Sequence, residues 1–176
     1  MNDRTWELVE KHLESGVYKI IAAQDSAPSK EALLAFGREV GCALPEEFIA
    51  HSSGSYGGLY VEVKEELWPR PKKFDVVPFW SFLYGMFTFN LAEGIPEFME
   101  LRAGTKALSE SSGQLLVPCL KVIGDANKYC FNKDGRLGLW DHETNEVSSG
   151  HGSFFEVLDH ELGELQKRKL RKCSNV

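Results

Sequence analysis

The chain has 176 residues, 43% of them hydrophobic and 26% charged, with a net charge of −6. That length suits one domain with a real core, and the composition is that of an ordinary folded protein. The acidic balance disfavours nucleic acid, whose phosphates need cations, and no apolar run approaches the roughly 20 residues that span a bilayer.

Trp6, Val9, Leu13, Val17, Ile20 and Ile21 fall on one helical face and predict an opening amphipathic helix. Ser29 reads as the N-cap of a second helix that buries Leu33, Leu34, Phe36 and Val40 and ends at Gly41. A third helix starts at Pro45, which suits the first helical position, with Glu46 and Glu47 where the dipole favours negative charge. His51 near its end reads as a C-terminal cation when protonated. Gly57-Gly58 then allows a tight turn.

From 59 to 63 the period becomes alternating and predicts a strand. Trp68-Pro69-Arg70-Pro71 interrupts it, because proline cannot donate to a ladder. A second strand is expected over 74–79, the period over 81–104 is ambiguous, and a short helix is expected over 96–101. The main strands are expected at 115–122, Lys128–Phe131 and Leu137–Trp140, the last two joined by an Asn-Lys-Asp-Gly turn at 132–135. A final helix opens at Ser153, where Ser153 and Glu156 have capping-box spacing and Phe154, Val157, Leu158, Leu162 and Leu165 form the apolar face.

The charged opening MNDRTWELVEKHLESG lacks the pattern of a signal peptide, so a cytoplasmic location is expected. The four scattered cysteines (Cys42, Cys119, Cys130 and Cys173) form no C-x-x-C pair and are expected as free thiols in a reducing compartment. Five positive charges lie in 167–172, so the rest of the chain carries −11. Such a body steers toward a basic partner, and the basic stretch complements the dipole at a helix end.

Catalytic patterns are scarce. Asp141-His142-Glu143 is the strongest cluster: on a strand the two carboxylates and the imidazole would point to opposite faces, whereas in a turn they could form a site. His160 and Glu164 read as a surface pair on one helix face. Cys119 and Cys130 sit in apolar strands as packing groups. No nucleophile elbow, Walker loop or dinucleotide fingerprint occurs. Of the aromatics Tyr56, Trp68, Phe79, Trp80 and Tyr84, most read as core, whereas Trp68 reads as exposed and able to anchor a partner.

The order of these signals resembles the SUKH superfamily of bacterial immunity proteins, whose fungal relatives regulate cell-wall glucan synthesis. The residues that carry it are Phe36-Gly37-Arg38-Glu39-Val40-Gly41, Leu44-Pro45-Glu46-Glu47-Phe48, Tyr56-Gly57-Gly58 and Val122-Ile123-Gly124-Asp125. Tyr129-Cys130-Phe131, Leu139-Trp140-Asp141-His142-Glu143 and Ser153-Phe154-Phe155-Glu156-Val157-Leu158 complete the set, with poor matching between Val63 and Leu115. Tyr56 stands where the family commonly has Asn, which removes a residue tolerant of left-handed geometry.

The resemblance implies an α+β domain, with a mixed or mostly antiparallel sheet flanked by N-terminal helices and a capped C-terminal helix. It spans 1–176 as one unit with a core over about 29–165 and a basic tail at 167–176. It further implies a non-enzymatic protein, without cofactor or metal, that neutralises a cognate and possibly basic protein toxin. The residues favoured for that contact are Asp125, Asp141, Glu143 and Trp68. A regulatory scaffold, a glycan-binding module, or an enzyme using His142 with Asp141 or Glu143 are the alternatives.

Overall fold

A computed structural model describes residues 3–174. Helix α1 (Arg4–His12) is capped by Asp3, whose carboxylate accepts from the Thr5 and Trp6 amides. It stops where Leu13 turns extended and Gly16 adopts φ +82°. The predicted single opening helix is therefore two elements, because Tyr18–Ile21 forms strand β1. The apolar spacing at Val17, Ile20 and Ile21 suited either period, and pairing of β1 with β2 decides it.

Ser29 caps α2 (Lys30–Val40) through the Ala32 amide, and Gly41 closes it at φ +79°. Helix α3 (Glu46–Ser53) begins one residue after Pro45, which occupies the cap position. Strand β2 (Tyr60–Val63) follows, then a long crossing over residues 64–84 to strand β3 (Gly85–Thr88). The strand expected at 74–79 does not form. Phe74 sits at φ +75°, Pro78 lacks a donor, and Phe79–Phe82 closes as a 3₁₀ turn.

The expected short helix at 96–101 is a 3₁₀ turn, Glu97–Met99, leading into a full helix α4 (Leu101–Ser112). Strands β4 (Val117–Val122), β5 (Lys128–Phe131) and β6 (Leu137–Trp140) lie where the sequence places them. A two-residue strand β7 (Val147–Ser148) precedes α5 (Phe154–Ser174). The capping box at the start of α5 is formed: the Glu156 carboxylate accepts from the Ser153 amide at 2.6 Å, and the Ser153 hydroxyl accepts from the Glu156 amide.

Among the described residues the fold is α+β, with five α-helices and one seven-stranded sheet. The sheet is a meander in chain order, β1 to β7, and each neighbouring pair is antiparallel. Its inner face carries Val61, Met86, Leu120 and Phe131 against α1, α3 and α5. Phe48 of α3 meets the rings of Phe131 and Phe154 edge-on at 5.2 and 5.3 Å, tying helix, sheet and helix together. Leu8, Val9, Leu13 and Tyr18 share this core, which therefore includes residues before 29.

Lys11 and His12 of α1 both reach Asp159 of α5, holding that carboxyl below its ordinary range. The outer face is covered only partly. There α4 packs Leu108 against Leu116, Cys130 and Trp140 in a separate small cluster.

Candidate functional site

The antiparallel meander delivers the β2–β3 crossing, the β4–β5 turn and the β6–β7 turn to one end of the sheet. Asp125 lies in the β4–β5 turn and accepts from the Asn127 amide at 2.9 Å. Asp141 and Glu143 lie in the β6–β7 turn, which is not a strand, so the three residues from Asp141 to Glu143 do not alternate. Asn127 joins the two turns, its Oδ1 accepting from the His142 amide at 3.1 Å and lying 2.9 Å from His142 Nδ1. Asp125, Asp141 and Glu143 thus share one acidic rim.

Asp141 also builds its own turn. Its carboxylate accepts from the Thr144 and Glu143 amides, and these bonds hold its pKa below the ordinary carboxylate value.

Trp68 does not belong to that exposed rim. It is 2% exposed, and its indole N–H donates to the Ser81 carbonyl at 3.0 Å. The flanking charges and prolines suggested exposure, but the crossing folds back over the ring. Arg70 locks the base of the crossing: it donates to the Trp68 and Val63 carbonyls and lies 3.7 Å from the Tyr84 ring centroid. With its root fixed in this way, the crossing carries its apolar tip outward. Phe74 is 89% exposed, Phe79 65% and Trp80 61%, and Val76 is fully exposed.

The end of the crossing reaches the β4–β5 turn of the acidic rim. Phe82 sits against Gly124, the neighbour of Asp125, where a Cβ would collide with Phe82 and where φ is +86°. Arg168 of α5 donates to the Leu83 carbonyl at 3.1 Å, so the basic stretch supports the crossing while residues 175 and 176 lie outside the described residues. The exposure of Phe79 and Trp80 departs from the expectation that most of these aromatics pack in the core. Pro69 and Pro71 signal that the segment leaves the ladder, but nothing in the sequence fixes which aromatic ring the crossing buries.

His51, the described cysteines and Glu164 are held in structural contacts. His51 is buried, not a helix-end cation: Nδ1 lies 2.8 Å from Thr5 Oγ1 and Nε2 lies 2.9 Å from Thr88 Oγ1. Burial lowers its pKa to about 3, so the ring is neutral. Cys42 and Cys130 are held as neutral thiols, pushed up by burial to about 11 and about 12, and Cys119 moves the same way. Glu164 bonds Lys167 at 2.7 Å. Among the described residues no group of three or more His, Cys, Asp or Glu side chains could hold a metal ion, and no helix is long and apolar enough to cross a membrane.

Tyr56 avoids the left-handed region, which falls on Gly58 at φ +61°. Its ring instead stacks on Trp6 at 4.8 Å. No protein-family model, curated protein or solved structure matches the chain.

Proposed function

We propose that this chain is a non-enzymatic binding protein that neutralises a basic protein toxin by covering it, acting in the cytoplasm of a bacterial cell. The observation that carries this reading is the exposed aromatic tip, Phe79 and Trp80, set beside the rim of Asp125, Asp141 and Glu143. Exposed large aromatics supply contact area at low entropic cost, and hot spots at interfaces concentrate in such residues. The acidic body adds long-range attraction for a basic surface. The resemblance to the SUKH superfamily supports the toxin-neutralising role.

The test is survival of a bacterial host that expresses a basic toxin domain encoded beside this chain's gene. Co-expression of the wild-type chain should restore growth, and the double variant Phe79→Ser/Trp80→Ser should not, at equal protein level and equal thermal midpoint. Equal protection by the two proteins would remove the aromatic tip from the reading. Absence of protection by the wild type would remove the toxin.

A further inference from the structure

On the outer face of the sheet a groove of about 850 Å³ lies between α4 and strands β2 to β5. It exists because α4 turns its small residues toward the sheet: Ala103, Gly104 and Ala107 line it where larger side chains would close it. A Cβ at Gly104 would already collide with the Phe89 ring and approach Pro118. The floor and wall are aromatic. Phe87 meets Phe98 edge-on at 5.2 Å, and Tyr60 meets Phe98 at 6.4 Å.

Two lysines project onto this face. Lys121 of β4 pairs with Phe87 in the sheet register, and continuing the Leu120–Tyr129 pairing by one residue sets Lys121 opposite Lys128 of β5. Like charges directly opposite each other on one face destabilise a sheet. Among the described residues neither lysine has a carboxylate partner within 4.0 Å. Lys128 lies 5.0 Å over the Trp140 ring, and burial together with the Lys121 charge lowers its pKa. The one carboxylate among the described lining residues, Glu97, comes from the turn before α4, whereas Trp140 packs with Leu108 in the second half of that helix. The groove therefore has an aromatic bed and a pair of uncompensated cations.

We infer that this groove is a binding site for a small aromatic anion, a one- or two-ring phosphate or carboxylate, whose ring lies on Phe87 and Phe98 and whose charge lies between Lys121 and Lys128. An anion there relieves the lysine repulsion in the charge-assisted way that makes such contacts strong, and the ring displaces water from apolar surface. This site is on the outer face and does not depend on the toxin reading.

The experiment is titration of the full chain with 2-naphthyl phosphate, followed by naphthyl fluorescence, with inorganic phosphate and 2-naphthylmethanol as the two halves of the probe. Saturable one-to-one binding of 2-naphthyl phosphate is expected, at least tenfold tighter than either half. The double variant K121Q/K128Q should weaken it at least tenfold, and A107L, which fills the groove away from the lysines, should do the same. The double variant Phe79→Ser/Trp80→Ser should bind as wild type does. Failure of the wild type to saturate overturns the inference, as does wild-type affinity in K121Q/K128Q or in A107L. Loss of binding in the Phe79/Trp80 variant also overturns it, because the probe would then sit on the exposed tip. If K121Q/K128Q does not fold, A107L decides alone.

Discussion

His51 and Thr88 are joined at 2.9 Å in the middle of the inner face, and the same threonine hydroxyl oxygen accepts from the Leu59 amide. With Thr5 on its other nitrogen, the neutral ring has one donor and one acceptor role to fill and two hydroxyls to fill them. The imidazole thus fastens α1 and α3 to β3 without an unsatisfied nitrogen. Protonation would put a charge on a buried ring and turn both nitrogens into donors.

The pH dependence follows from that burial. The unfolded chain binds a proton near the ordinary histidine value, and the folded chain only near 3. The stabilising contribution is therefore fully present above about pH 6.5 and is lost as pH falls toward the folded value, at up to about 1.4 kcal/mol per pH unit. Asp159 and Asp141, whose folded pKa values are lowered, lose their contribution as pH falls below the ordinary carboxylate value, so the histidine slope opens at higher pH than theirs. Denaturant titrations between pH 7 and 4.5 should show this slope in the wild type and a flatter one in His51→Gln. Parallel slopes in the two proteins would show that His51 is not the sensor.

Two buried side chains test the packing. Leu158 of α5 is fully buried, and Leu158→Ala should cost about 2–5 kcal/mol. Trp68→Ala should cost about 3–5 kcal/mol, because it removes both a buried ring and the donor that ties the crossing to Ser81. Thermal and denaturant unfolding measure both. An unchanged midpoint for Trp68→Ala would mean that Arg70 and Arg168 hold the crossing without the buried ring.

The sequence was most readable where local chemistry dictates local structure. The α5 start needed only Ser153, Glu156 and an apolar stripe. The β5–β6 hairpin needed Asn132 and Gly135, the latter at φ +76° with no room for a side chain against Ala43. Helix α4 was hidden because two of its buried positions are Thr105 and Ser112 and Gly104 interrupts it, so its apolar stripe is faint. The exchange of roles between Trp68 and Trp80 was beyond any local signal. Which ring is covered depends on a hydrogen bond to Ser81, thirteen residues away, and on where Arg70 fixes the chain. Asp125, Asp141 and Glu143 converge because the meander returns both turns to one end of the sheet, where Asn127 bridges them.

The lysine pair on the outer face makes a prediction about stability in the absence of any ligand. Lys121→Gln removes the cross-strand repulsion and leaves Lys128 on Trp140, so it should stabilise the chain by a few tenths of a kcal/mol to about 1 kcal/mol. Lys128→Gln also removes the repulsion but gives up the cation–π contact, about 0.5–1 kcal/mol, and should come out near neutral. Urea unfolding of the two variants reads the difference. Destabilisation by Lys121→Gln would mean that the cation has a favourable partner in the sheet.

The partner surface divides into two kinds of residue whose kinetic effects differ. Glu143 is exposed, so Glu143→Lys can reverse a charge freely, whereas Asp125 and Asp141 accept amide bonds that shape their turns. Asn at these two positions removes the charge and keeps an acceptor oxygen. Charges around a rim act mainly on encounter and are screened by salt. The triple variant Asp125→Asn/Asp141→Asn/Glu143→Lys should therefore slow association with a basic toxin domain and flatten its salt dependence, with dissociation little changed. Phe79→Ser/Trp80→Ser should act the opposite way, speeding dissociation by an amount equivalent to about 2 kcal/mol or more if these rings are the hot spot. Stopped-flow or surface-based kinetics at two ionic strengths separates the two effects. Unchanged rates in both variants would place the contact elsewhere on the chain, and a change only in association would leave the rim as the steering surface without the aromatic anchor.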